Sequence, residues 1–383
     1  MTWQTKKLGE VCNVDYGTRV VRSRNIPGEF YVYGGGGKTF TSNEYNREDC
    51  VIVSRFAMSA YCVRKISGKF FLNDSGLSVS TKDQKVLLQD FVDKLLFASQ
   101  DRIYSLGRGQ AQRNLHIDEF KNLRIPLPPL SEQKKIVKML DEKMGKIAEM
   151  KKLREASLAD TEKILSQTLH EIFEEGKQKR WEEIYFGDEK YLKIIDGDRG
   201  KNYPTKMEFS RDGYCLFLST SNVRKGNFDF SKMDFIKKEK DESLRKGKVS
   251  RGDLILTTRG TLGNSAYYDS TVPYKNIRIN SGMVVLRTDQ KKLLPQYLIY
   301  IINSDEFIKK TKEANSGSTQ PQLPIKVLSK LSFLLPPITE QQKIVKRLDA
   351  LSEKIKQSVE LQKSQLEDLK KLEKSYLREA FLH

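Results

Sequence analysis

Few side chains in this 383-residue chain are spaced for catalysis. The four cysteines, Cys12, Cys50, Cys62 and Cys215, make no CxxC pair, and the three histidines, His116, His170 and His383, do not flank them at ligand spacing. No zinc site and no Cys–His nucleophile is therefore expected, and the thiols should be free. The stretch "YVYGGGGKTF" looks at first like a phosphate loop, yet the G-x-x-x-x-G-K-[ST] pattern needs a glycine where Val32 stands, and the strand before it is short and mixed. There is no dinucleotide glycine fingerprint and no N-P-P-Y or D-P-P-Y tetrad for amino-methyl transfer. Only a pair drawn from the 50 carboxylates and assembled in space would leave no trace in the sequence. The catalytic and metal-ligating sets are expected to be empty.

What remains suits binding. Arginines, amides and hydroxyls on glycine-bearing loops are the groups that contact phosphates and base edges. "SLGRGQAQRNL" offers Arg108, Gln110, Gln112 and Arg113, and "ANSGSTQPQLP" offers Ser318, Thr319, Gln320 and Gln322. Arg55 and Arg259 close the apolar runs "CVIVSR" and "DLILTTR", with Thr261 just beyond the second. Tyr33, Gly36 and Lys38 read as a close-approach loop to nucleic acid, with a structural turn as the alternative. A net charge of +18, from 68 basic and 50 acidic residues, favours a polyanionic partner, with nucleic acid ahead of membrane. No apolar run approaches the ~20 residues of a membrane span and "MTWQTKKLGE" has no signal-peptide core, so a cytoplasmic protein is expected.

These loops recur because much of the chain does. Shifted by 208 positions, Pro128 to Ile147 matches Pro336 to Ile355 at 12 of 20 places. The match runs on to Phe173 and Phe381, and back through Gly109/Gly317, Gln112/Gln320, Leu115/Leu323 and Leu123/Leu331. Trp3 and Gly9 align with Trp181 and Gly187 at a shift of 178, and a fainter echo pairs Arg47/Arg251, Asp49/Asp253 and Arg55/Arg259. A scaffold kept alike around two differing inserts is built to present two surfaces in one geometry.

The scaffold must be helical. Proline pairs end an extended segment; Ser131 and Thr339 then stand as expected N-caps, with Glu132 and Glu340 beside the positive helix end. Apolar residues at Ile136, Leu140, Ile147, Met150 and Ile164, and at Ile344, Leu348, Leu351, Ile355, Leu369, Leu372 and Tyr376, give heptad-like stripes. Each helix could run ~40 residues, about 60 Å. Such lengths predict an antiparallel coiled coil with a polar middle at Arg154, Ser157, Thr161, Ser358, Gln362 and Gln365, and a globular region at each end. The rival is two helices folded back on their own regions. The inserts predict short strands, each set closed by a helix, near Asp90 to Ile103 and Pro295 to Thr311.

On "PLPPLSEQKKIVKMLD", "LLPPITEQQKIVKRLD", "GSTQ" at Gly317 to Gln320 and "RGDLILTTRGTLG" at Arg251 to Gly263, the chain resembles the specificity subunit of type I restriction-modification systems. The first half departs from the pattern, with "GQAQ" for "GSTQ" and "SRFAMSA" for "TRGTLG". The resemblance implies an α+β architecture with a pseudo-twofold internal repeat: a mixed α/β target-recognition domain at residues 1–127, a central spacer helix at 128–176, a second recognition domain at 177–335 and a C-terminal spacer helix at 336–383. It implies a non-catalytic subunit reading bipartite double-stranded DNA, one domain per half-site, the paired helices setting the gap. It also implies two adenine-methylating modification subunits using S-adenosylmethionine, and restriction subunits using ATP and Mg²⁺. A stand-alone DNA-binding regulator of similar architecture is the alternative; an enzyme with cryptic motifs and a coiled-coil adaptor follow.

Overall fold

The computed structural model describes residues 3–110, 112–313 and 322–381. They form two compact units, residues 1–157 with 361–383, and residues 158–360. The division cuts both long helices, so each unit takes a piece of each.

In the first unit a six-stranded sheet runs in the order Cys12–Tyr16, Gly76–Thr81, Arg47–Ser54, Val63–Leu72, Phe30–Gly34, Gly37–Ser42. All neighbours are antiparallel except Phe30–Gly34 on Val63–Leu72. The continuous apolar run Val51–Ile52–Val53 is explained by cover on both faces. Val51 and Val53 point to a core with Leu77, Phe91, Leu95, Phe120, Ile136 and Leu140, while Ile52 joins Ile66, Phe70 and Leu72 opposite. A bulge interrupts the pairing of Arg47–Ser54 with Val63–Leu72: Ser67 and Gly68 together stand opposite Asp49, which takes φ +44, and the Gly68 amide donates to Asp49 Oδ1 at 2.7 Å.

The second unit has two four-stranded sheets. Leu192–Asp196, Met283–Thr288, Leu254–Thr257 and Ser265–Tyr267 form one; Phe235–Ile236, Cys215–Leu218, Ile277–Ile279 and Lys248–Val249 form the other. Leu254 and Leu256 face a helix-covered core, whereas Ile255 faces the second sheet with Leu216, Ile277 and Val285. The alternation repeats that of Val51–Ile52–Val53.

In both units a two-stranded ribbon brings the start of the insert to its end: Thr5–Lys7 pairs with Arg124–Pro126, and Glu182–Tyr185 with Ser332–Leu335. The recurring glycine of the sequence follows. A Cβ on Gly9 would sit 3.2 Å from Lys121 Cβ, and one on Gly187 would sit 2.9 Å from Ser329 Cβ. Each insert's expected closing helix is in fact two, Gln89–Ala98 and Gln100–Ser105 in one unit, Pro295–Ile302 and Asp305–Glu313 in the other. In the second, Ser304 makes the break, its hydroxyl accepting from the Phe307 amide at 3.2 Å and so starting a new helix.

The long helices are Leu130–Gln178 and Ile338–Glu379, of 49 and 42 residues. Both start two residues earlier than the expected N-caps imply. The carbonyls of Pro129 and Pro337 accept the first helical bonds, from Glu132 and Gln133 and from Glu340 and Gln341. Ser131 and Thr339 therefore lie inside the first turn and are not N-caps. In the first unit the two helix pieces run antiparallel: Lys151 pairs with Glu373, and Lys143 lies 4.0 Å over the Tyr376 ring. In the second, Leu169, Ile172 and Phe173 share a core with Ile344 and Leu348. Met150, Ile164 and Leu372, expected in the apolar stripes, are 50%, 39% and 38% exposed, while Thr161 and Gln362 are buried. Within each unit the buried stripe is apolar toward the globular core, and each also buries a polar residue, Gln362 in the first and Thr161 in the second.

Candidate nucleic-acid interface

At one end of the first unit's sheet, two of the loops singled out in the sequence are tied to the turn at Asn73–Ser75, and a third is tied to the Arg55 segment. The Arg55 amide donates to Ser75 O at 2.8 Å, and the Gly35 amide to Ser75 Oγ at 2.9 Å. The Leu115 amide donates to Arg55 O at 2.8 Å, and the Met58 amide to Arg113 O at 2.9 Å. The last two bonds hold the hairpin Gly107–Arg108/Asn114–Leu115, whose loop carries Gln110 and Gln112 in solvent.

The side chains divide into two sets. Arg55 is fixed, its guanidinium 4.3 Å from the Phe56 ring centre and 4.8 Å from that of Tyr16, with Nη1 donating to Asp74 O at 3.2 Å. Lys38 is exposed above the Tyr31 ring, 3.2 Å from its centre. Arg108 is exposed and ion-paired with Glu119, a pairing worth little at a wet surface. Tyr33 and Arg113 instead face inward. Tyr33 packs edge-on against Phe70, and Arg113 donates to Gly107 O at 2.9 Å and lies over Tyr104, bracing the hairpin.

The glycine run is a hairpin turn, with Gly34 opposite Gly37. It does not lead from a strand into a helix, so it does not make a phosphate loop. A Cβ on Gly35 would meet Phe56 O at 2.2 Å; one on Gly36 meets nothing within 4 Å. The run is needed for packing at Gly35, and of these two only Gly36 faces open space.

The second unit builds the same junction. The Thr258 and Arg259 amides donate to Gly282 O at 2.8 and 3.1 Å, and the Leu323 amide to Thr258 O at 2.8 Å. In this frame Thr258 corresponds to Arg55, and Arg259 to Phe56. The Arg55/Arg259 pairing read from the sequence is thus one residue out in the structure. Arg259 and Thr261 are exposed on a turn closed by Thr257, whose hydroxyl donates to Thr261 O and accepts from the Asn264 amide at 3.0 Å. Among the described residues the Arg259 guanidinium has no hydrogen bond, ion pair or ring contact, and its backbone bridges to Gln322. Ser318, Thr319 and Gln320 lie outside the described residues.

Sequence reading missed Arg199, which donates to Ser281 O at 3.2 Å and so stands beside the Gly282 junction. No motif marks it; only the fold brings the segments together. The cysteines offer no nucleophile: burial pushes Cys12 and Cys215 up to about 12 and Cys62 to about 11, and raises Cys50 as well. Protonated thiols of this kind react poorly. Among the described residues no cluster of His, Cys, Asp and Glu could hold a metal, and no helix is long and apolar enough to cross a membrane.

Arginine, amide and hydroxyl side chains on two separately built, rigidly tied junctions define a class of protein that reads a ligand's surface. The comparisons agree. The chain belongs to the type I restriction modification DNA specificity domain family, whose model matches residues 1–156 and 192–368. It is 25% identical over 337 residues to the type I restriction enzyme MjaVIII specificity subunit of Methanocaldococcus jannaschii, covering 81% of this chain and 75% of that one. It is 24% identical over 294 residues to the EcoKI specificity subunit of Escherichia coli, covering 70% of this chain and 60% of that one. The match to a MjaX specificity subunit of M. jannaschii spans 65% of that relative's length. In fold, the chain is similar to one from a structure of a type I R-M system, with TM-score 0.73 at 20% identity over 99% of this chain and 97% of that one. It is also similar to the HsdS subunit from Thermoanaerobacter tengcongensis, with TM-score 0.56 at 19% identity over 99% and 96%.

Proposed function

We propose that this chain is the DNA-recognition subunit of a type I restriction-modification complex, in which residues 1–127 and 177–335 each read one half of an interrupted double-stranded target. The observation that carries the reading is the junction built twice. The same three backbone bonds recur around Arg55 and Thr258, while the side chains they present differ. Two copies of one mount with different faces suit two different half-sites. The helices Leu130–Gln178 and Ile338–Glu379 hold the mounts, and their exposed residues, among them Leu153 and Leu361 at equivalent repeat positions, offer similar faces to two modification subunits.

The expected contact residues at the surface are Gly36, Lys38, Arg55, Arg108, Gln110, Gln112, Arg259 and Thr261. S-adenosylmethionine, ATP and Mg²⁺ are assigned to the partner subunits, and in this reading adenine methylation and restriction are theirs. The glycine turn of this chain lacks the strand-to-helix setting for a nucleotide.

Methylation mapping of a host carrying the complete system tests the proposal. Deleting this chain should abolish methylation at one interrupted, two-part motif. Survival of that motif, or loss of a single uninterrupted site, overturns it.

A further inference from the structure

The first unit carries a basic feature that none of the motifs marks. Between Gly17 and Gly28 the chain reads "GTRVVRSRNIPG", with three arginines and no acid. Both feet of this segment are pinned. The Gly17 and Thr18 amides donate to Gly76 O and Leu72 O at 3.1 and 2.9 Å, beside the turn that anchors Arg55. On the other side, Asn25 Nδ2 donates to Thr41 O at 2.7 Å, and Ile26 O accepts from the Asn43 amide at 3.0 Å. Between the feet, Arg22–Arg24 form one 3₁₀ turn.

Arg19, Arg22 and Arg24 are exposed, and among the described residues none of their guanidinium groups has a hydrogen bond, ion pair or ring contact. Three like charges held this closely, with no counter-charge in the segment, repel one another unless an anion lies across them. Arg55 makes the useful contrast. It is stacked on two rings and hydrogen-bonded, so the fold sets the direction in which it points. The three arch arginines are unfixed on a pinned backbone, which suits phosphates, whose contacts position a protein without reading sequence.

We propose that the arch at residues 18–27 is a phosphate clamp, laying Arg19, Arg22 and Arg24 along the backbone of the DNA whose bases Arg55 and the 107–115 hairpin face. This rests on the DNA-recognition reading above, and separates affinity from specificity within one unit. A protein releases about one counterion per phosphate it neutralises, so the clamp has a salt signature.

The test uses the full-length chain and a mixed-sequence duplex of roughly 40 base pairs, with affinity measured across a salt series. The Arg19→Ala/Arg22→Ala/Arg24→Ala variant should flatten the slope of log affinity against log salt by about 2 to 3. The Arg19→Lys/Arg22→Lys/Arg24→Lys variant should keep most of the slope, because phosphate accepts a point charge. A charge-matched control, Lys346→Ala/Lys354→Ala/Lys363→Ala on the terminal helix, should change it little. Three results overturn the clamp alone: an unchanged slope in the alanine variant, an equal loss in the control, or loss in the lysine variant. A wild-type chain that holds no duplex overturns the recognition reading and the clamp together.

Discussion

Arg259 is the residue on which base reading in the second unit can be tried most directly. It is exposed on a closed turn, and its removal leaves the junction's backbone bonds in place. Arg259→Ala should relax one base position in one half of the target, costing ~1 to 3 kcal/mol there, with the other half unchanged in methylation mapping. Weakening that is equal across unrelated sequences would reassign it to phosphate. A second residue-scale prediction concerns the buried pair beneath the second sheet. Burial works to raise the Asp241 carboxyl, but bonds from Lys248 and from Arg278, the latter at 2.6 Å, outweigh it and hold the group below its ordinary range. A carboxyl depressed in the folded state stabilises above its unfolded value, and that stabilisation is lost as pH falls through the folded value. Asp241→Asn should therefore cost ~3 to 5 kcal/mol at neutral pH, because Arg278 is left buried and unpaired. The penalty should shrink in acid denaturation, as pH falls below the ordinary carboxylate range and through the depressed folded value. A penalty that stays constant into acid would show that the charge on Asp241 contributes nothing. Arg259 was legible as the end of a strand; Asp241 was not, since its partners lie at Lys248 and Arg278 and only the fold assembles them.

At the scale of elements, the repeated helix opening owes its form to a residue whose identity was visible and whose role was not. Gln133 and Gln341 are fully buried. Gln133 accepts from the Leu88 amide at 2.9 Å and donates to Val86 O and Pro128 O; Gln341 accepts from the Leu294 amide at 2.8 Å and donates to Lys292 O and Pro336 O. Each glutamine thus locks the start of an insert helix to the start of a long helix. Glu132 and Glu340, more prominent in a reading based on helix charge, are surface groups paired to lysines. Gln341→Leu should leave an amide and two carbonyls buried without partners, at ~1 to 3 kcal/mol each before relaxation. Faster hydrogen exchange across Pro295–Ile302 should report it, while Glu340→Ala should stay within ~1 kcal/mol of wild type. Unchanged exchange in Gln341→Leu would show that apolar packing alone holds the joint. Periodicity placed both long helices well but could not say which stripe residues are buried. Met150 and Leu372 fit the heptad and still face solvent, because burial depends on what the stripe meets.

For the whole molecule, the duplication was the most legible feature, and the structure gives it a physical use. The first unit is closed by the end of the terminal helix, where Tyr376, Leu377, Ala380 and Phe381 pack on its core and the Phe381 ring meets Phe91 edge-on at 5.1 Å. The second unit is closed by the end of the central helix, with Leu169, Ile172 and Phe173 in the corresponding role. At the shift of 208, Leu169 matches Leu377 and Phe173 matches Phe381. A fragment of residues 1–178 therefore carries a first unit without its closing segment, together with a closing segment without its unit. Leaving both apolar faces in water is unfavourable, and a second copy supplies the missing piece to each. Such a fragment should form a dimer in which Phe173 of one copy takes the place of Phe381 against Phe91 of the other. Light scattering should give twice the fragment mass, and Phe173→Ala should return it toward monomer while leaving the full-length chain's first unit intact. Supplied with modification subunits, the dimer should methylate an interrupted palindrome built from the first half-site and its inverted copy. A folded fragment that stays monomeric at concentrations on the order of tens of micromolar would show that the two helix ends, though alike in sequence, do not exchange.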